Sequence, residues 1–209
     1  MPVVTQITPQ KRRENRRNIY LDGSFAFGVN LNVIAKFRLR EGMNLSADDV
    51  ADIARGEVRQ ECFDRAIRLL ESRLHSAGEL KKKLARHEYG DAVVDAVIAD
   101  LTRMNYVDDA RFARAKATTA AKHKHHGKRR AYAELIRAGV KSAVAKTALD
   151  DVYDSTDPVA EARALAERQV RRLSKLEPMV AKRRLVAMLQ RRGFDYEAIK
   201  PVVESVLGR

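Results

Sequence analysis

AYAELIRAGVKSAVAKTALDDV, residues 131–152, sets apolar residues at helical spacing on both sides of Gly139. An α-helix stacks side chains three and four positions apart, and a helix commonly ends where one residue, usually glycine, turns left-handed. The stretch therefore predicts two helices joined by a tight turn. Working outward from its Leu135, the same pattern recurs around Leu84 in KKKLARHEYGDAVVDAVIADL (residues 81–101) and around Leu189 in VAMLQRRGFDYEAIKPVVESVL (residues 186–207).

Counted from each leucine, the fifth following position holds Tyr89, Val140 and Phe194, and the tenth holds Val94, Ala145 and Ile199. Position thirteen holds Val97, Ala148 and Val202, position fourteen Ile98, Leu149 and Val203, and position seventeen Leu101, Val152 and Val206. The fourth holds Gly139 and Gly193, with Glu88 in the first copy. Leu84, Leu135 and Leu189 lie 51 and 54 residues apart, which leaves room for a third helix per copy over residues 62–73, 109–122 and 158–174. The fold class that follows is mainly α: a tandem array of three three-helix repeats, elongated and curved, each touching mainly its neighbours. The expected organisation is an N-terminal part at 1–61 and repeats at 62–107, 108–155 and 156–209.

Composition agrees with a helical chain. The 209 residues contain no Trp, only 5 Pro and 6 % aromatics. The one convincing β signal is NIYLDGSFAFGV (residues 18–29), in which Asp22-Gly23 suits the two φ > 0 positions of a tight hairpin turn. A hairpin is expected over residues 17–29, with Tyr20, Phe25 and Phe27 as an aromatic face that packs on the following helices or on a partner. The preceding KRRENRR is expected to be a mobile basic arm. In LSADDVADIARGE, residues 45–57, Ser46 reads as an N-cap and Gly56 as the end of a short helix.

No apolar run approaches the roughly 18 residues of a membrane span, and no secretory pattern opens the chain, so a cytoplasmic protein without membrane contact is expected. The single Cys62 shares a helical face with Ala66, Leu69 and Leu70 and reads as a small buried residue. Neither G-x-x-x-x-G-K-[ST] nor G-x-G-x-x-G occurs, and no nucleophilic triad suggests itself. Neither enzymatic activity nor a cofactor is expected.

RMNYVDDARFARA, residues 103–115, raises the question of a catalytic or metal-binding carboxylate pair. The repeat places Asp108 and Asp109 between Leu101 and Phe112, in the connector of repeats one and two, where aspartate caps exposed N–H groups and favours the positive end of the helix dipole. They read as a structural junction, with Tyr106, Val107 and Phe112 as apolar staples around the cap. SAGEL, residues 76–80, matches the capping box, with Ser76 and Glu79 as its reciprocal partners.

The net charge of +13 is uneven: residues 1–61 carry about +2, 62–108 about 0, 109–157 about +5 and 158–209 about +6. Such a field attracts a polyanion or the acidic face of a protein. In KHKHHGKRR, residues 122–130, neighbouring cations argue against metal ligation by His123, His125 and His126, which instead supplement the basic charge as pH falls. Gly127 there reads as a flexible point. The expected binding surface comprises Lys81, Lys82, Lys83 and Arg86 on the first repeat and Lys122, Lys124, Lys128, Arg129 and Arg130 on the second. Arg171, Arg172, Lys182, Arg183 and Arg184 extend it on the third.

NIYLDGSFAFGV, AIRLLESRLHSAGELKKKLARH, NYVDDARFA and GKRRAYAELIRAGV together resemble the bacterial regulatory protein RecX family over nearly the whole chain. The resemblance implies a stack of three-helix repeats that modulates the RecA recombinase, usually inhibiting it, by lying in the groove of the RecA–DNA filament. RecA and its filament would then be the partners, DNA a further one, and the protein a monomer. Affected processes would be ATP hydrolysis, strand exchange and, through them, the SOS response. A stand-alone DNA-binding protein that contacts phosphates is the alternative. The sequence departs from the family at Glu88, where a glycine is usual, and in its His-rich insert.

Overall fold

Asp22 and Gly23 take φ of 50° and 82° and close a tight hairpin, with Leu21 opposite Ser24. The computed structural model describes residues 1–208. The hairpin belongs to a three-stranded antiparallel sheet, β1 (Val4–Gln10), β2 (Arg13–Leu21) and β3 (Ser24–Asn30), in the order β1-β2-β3. The expected mobile arm is thus largely strand: Gln10 pairs with Arg13 and Pro9 with Arg17. The β-branched run Val3, Val4, Thr5, Ile7 and Thr8 favours extended backbone, and Pro9 is tolerated because β1 is an edge strand.

The aromatic face is split rather than continuous. Tyr20 opposes Phe25 and Ile19 opposes Phe27, so Ala26 is an extra residue that shifts the register. Ile19, Phe27 and Val29 enter a core with Val4, Val33, Leu45 and Ile53. Phe25 stays 59 % exposed and meets Tyr20 edge-on, the ring centroids 5.9 Å apart.

A short helix, α1 (Leu31–Phe37), leads into α2 (Ala47–Ser72), which starts on a complete capping box of Ser46 and Asp49. Gly56 does not end α2, which continues through residues 62–72 as the first helix of repeat one. Its missing Cβ admits the Phe37 ring: an added Cβ would lie 2.7 Å from Phe37 Cε2. The sheet is tied to α2 by Arg16, 2.5 Å from Glu57, and by Asn30, whose backbone N–H donates to Glu57 and whose amide donates to Asp64. Cys62 and Ala66 are fully buried on α2, and burial pushes the thiol's pKa up, which keeps it protonated.

α3 (Ala77–Leu84) and α4 (Asp91–Arg103) complete repeat one, with Leu80, Leu84, Val94, Val97 and Leu101 buried. Arg59 of α2 donates to Asp100 of α4, and Arg65 donates to the Tyr89 hydroxyl at 3.2 Å.

Repeat two is α5 (Asp109–Lys122), α6 (Lys128–Arg137) and α7 (Ser142–Tyr153); repeat three is α8 (Pro158–Leu173), α9 (Pro178–Arg192) and α10 (Tyr196–Leu207). Gly139 and Gly193 turn left-handed at φ of 82° and 88°, as their position in the repeat requires. Phe112, Ala117, Leu135, Val140, Ala145 and Leu149 form one core; Ala166, Leu185, Leu189, Phe194, Ile199 and Val202 form the equivalent one. The chain forms two compact units, Met1–Arg73 with Leu80–Met104, and Leu74–Glu79 with the residues from Asn105 onward. Among the described residues no helix is long and apolar enough to cross a membrane.

Candidate partner-binding surface

The two aspartates of RMNYVDDARFARA cap two different helices. Asp108 Oδ1 accepts from Ala110 N–H and Arg111 N–H at the start of its own α5. Asp109 Oδ1 accepts from Ala77 N–H, 2.8 Å away, and so caps α3. Phe112 and Val107 are buried beside them, whereas Tyr106 is 57 % exposed and does not staple the junction. Both carboxylates are committed to backbone donors, which is a structural role.

Ser76 Oγ accepts from Glu79 N–H at 3.0 Å and donates to the Ala138 carbonyl at 2.5 Å. Gly127 N–H donates to the Arg192 carbonyl at 2.8 Å. These contacts are equivalent in the repeat. Ser76 and Gly127 each stand eight positions before their anchor leucines, and Ala138 and Arg192 each stand three after the next. The approach is close enough to require glycine: a Cβ on Gly78 would lie 2.7 Å from Gly139 Cα, and one on Gly127 would lie 2.3 Å from the Gly193 carbonyl oxygen. Gly127 is therefore a packed, fixed position and not a flexible point.

Nine positions before the anchors stand His75 and His126, both buried, with Nδ1 at 3.0 Å from Glu79 and 3.2 Å from Glu134. Burial, then the positive charge of Arg130, lowers the pKa of His126 below the usual histidine range. His125 lies 3.0 Å from Glu161, so the segment 123–127 turns two of its three histidines inward and only His123 is exposed. The expectation that all three add surface charge is corrected accordingly. Tyr153 donates its hydroxyl to the His126 carbonyl at 2.6 Å, and burial pushes its pKa up to about 12.

The expected cations divide into two groups. Lys81 pairs with Asp95 at 2.5 Å, which raises its pKa; Lys128 pairs with Asp150 at 2.6 Å, and Arg129 lies 3.6 Å from Asp195. Lys124 and Arg130 lie 3.9 and 3.4 Å from Glu134, and Arg130 also donates to the Arg191 carbonyl. The second repeat's KRR sequence thus serves intramolecular contacts as much as it offers charge. By contrast Lys83, Arg86, Lys122, Arg171, Arg172, Lys182, Arg183 and Arg184 form no ion pair among the described residues, and all but Lys83 are exposed. Lys82 is exposed on the same α3. The sequence names these cations but not their partners, because pairing depends on which carboxylates the repeat packing brings near.

The matching family models are described as the regulatory protein RecX N-terminal domain over residues 2–46 and the RecX first, second and third three-helix domains over residues 62–101, 108–149 and 156–203. Regulatory protein RecX of Bacillus subtilis (strain 168) is 31% identical over 206 residues, covering 99% of this chain and 78% of the relative. That of Leuconostoc mesenteroides is 29% identical over 207 residues, covering 99% and 77%. A crystal structure of regulatory protein RecX superposes with a TM-score of 0.80 at 23% identity, over 97% of this chain and 98% of that one. The crystal structure of RecX from Lactobacillus salivarius gives 0.62 at 18% identity, over 72% and 97%, so both share the fold. With models matching in order along the sequence and relatives alike over nearly all of it, the chain belongs to the RecX regulatory protein family.

Proposed function

We propose that this protein regulates the RecA recombinase, most directly by inhibiting it, through binding along the groove of the RecA–DNA filament. Membership of a family of regulatory proteins carries the reading; the unpaired cations of the third repeat support it, because an extended basic surface suits a polyanionic filament. The protein acts as a cytoplasmic monomer without catalysis of its own. Its working parts are the N-terminal segment 1–61 and repeats at 62–107, 108–155 and 156–209. Restraint of the filament's conformational cycle lowers ATP hydrolysis and strand exchange and, downstream, the SOS response.

The same unpaired cations favour a second reading, direct binding to DNA phosphates. Counterion release separates the two. An interface made of phosphate contacts weakens steeply and linearly in log K against log salt, with a slope near the number of contacts. Sedimentation of the protein with RecA filaments on single-stranded DNA, with RecA alone and with the DNA alone across a salt series tests the proposal. Binding to the filament that outlasts binding to bare DNA as salt rises supports RecA recognition; parallel losses refute it.

A further inference from the structure

On the third repeat a groove of about 540 Å³ runs between α8 and α9. Its floor is aliphatic, made by Leu173, Ala187 and Met188, and its rim carries Arg183, Arg184 and Arg191. On α9 the positions 184, 187, 188 and 191 follow the spacing of one helical stripe, so apolar floor and cationic rim are two parts of a single face. No carboxylate lines the groove, and none of the three rim guanidiniums forms an ion pair among the described residues. This sets it apart from the KRR sequence of the second repeat, whose cations are held by Asp150, Asp195 and Glu134.

We infer that this groove docks an acidic amphipathic segment of a protein partner, with an aliphatic or aromatic side chain on the floor and flanking Asp or Glu side chains on the arginines. The volume falls in the range of ordinary ligand sites, roughly 300–1,000 Å³. A thioether beside aliphatic groups adapts to the shape of an incoming apolar side chain. Guanidinium forks bind carboxylates in a two-point geometry, and a helix laid in such a groove reads as anchors at helical spacing. A nucleic acid fits less well, since the groove presents no aromatic ring on which a base stacks and its aliphatic floor gives phosphate nothing to bind. The inference deepens the RecA reading by giving the partner's contacting segment a chemistry, but its geometry holds for any protein partner.

Two probes against the 209-residue chain keep the inference and the RecA reading apart. The first is a fluorescein-labelled helical peptide with Leu and Phe anchors set between glutamates, measured by anisotropy beside its glutamine counterpart and a single-stranded oligonucleotide. The wild-type protein is expected to bind the glutamate peptide at least about tenfold more tightly than the glutamine one. Ala187→Glu, which places a carboxylate on the floor, and the double variant Arg184→Ala/Arg191→Ala are each expected to abolish that preference with an unchanged helical circular dichroism signal. Oligonucleotide affinity should shift less than about twofold in Ala187→Glu. No preference for the glutamate peptide, or a preference that both variants retain, overturns the inference, as does a loss of oligonucleotide affinity that matches the peptide loss. The second probe is the RecA filament on single-stranded DNA. Peptide binding without filament binding refutes RecA as the partner and leaves the groove's chemistry standing.

Discussion

Replacing Gly127 by alanine tests the inter-repeat contact at its tightest point. The backbone there has φ of −67° and ψ of 160°, which alanine adopts freely, so the substitution adds no torsional strain. The new Cβ would sit 2.3 Å from the Gly193 carbonyl oxygen and 2.7 Å from Phe194 N. Both are backbone atoms that no rotamer change moves aside, so repeat three must shift to reach ordinary contact. That overpacking costs about 1–3 kcal/mol, and stretching the Gly127 N–H bond to the Arg192 carbonyl adds about 1 kcal/mol. Loss of about 2–4 kcal/mol is therefore expected in urea unfolding followed by circular dichroism, together with faster hydrogen exchange at the start of α6. Gly56→Ala is the control. There the obstacle is the Phe37 ring, which can turn, and the helix interior gains about 1 kcal/mol from alanine, so the net change should be near zero. A Gly127→Ala protein within about 0.5 kcal/mol of wild type would refute the reasoning that this junction is packed backbone to backbone.

Asp108→Ala removes the α5 cap and should cost about 1 kcal/mol, measured in the same urea assay, while Asp109→Ala should also expose the start of α3 to faster exchange at Ala77; identical exchange patterns in the two variants would contradict the division of labour. His126 has its folded pKa held below 6.5, so the unfolded chain binds the proton first and stability falls as pH drops below about 6.5. His126→Asn should flatten the fall in urea midpoint between pH 7.5 and 5.5, whereas an equal fall in both proteins would assign it elsewhere. Charge reversal of Lys128, Arg129 and Arg130 should destabilise repeat two by breaking their contacts with Asp150, Asp195 and Glu134, whereas reversal of Arg171, Arg172 and Lys182 should leave the unfolding midpoint nearly unchanged; equal loss of stability in both variants would contradict this grouping.

The repeat was legible in the sequence because each copy buries the same face: Leu84, Leu135 and Leu189 are all fully buried, and the aligned Val94, Ala145 and Ile199 are buried with them. Helical spacing is a local signal that survives without tertiary knowledge. The sheet was half legible. Asp22-Gly23 announces its turn, but β1 depends on pairing with a strand whose basic composition hides it, and the extra residue Ala26 breaks the simple alternation that would have grouped the aromatics. Gly56 misled because a glycine inside a helix and one at its end look alike until the Phe37 ring is seen against it. Among the surface cations, type and position were readable, while the pairing of Lys128 with Asp150 is made by packing between helices and leaves no trace at short sequence range. The inward turn of His125 and His126 is of the same kind, set by Glu161 and Glu134 on neighbouring and following helices.

The most direct test of the central claim is RecA's ATP hydrolysis on single-stranded DNA as this protein is added, at a salt concentration where its own binding to that DNA is negligible. Inhibition with fewer molecules of this protein than of RecA is the predicted result, since restraining one stretch of filament affects many subunits. Full ATP hydrolysis until the protein is abundant enough to coat the DNA would contradict filament recognition and leave competition for phosphate as its action.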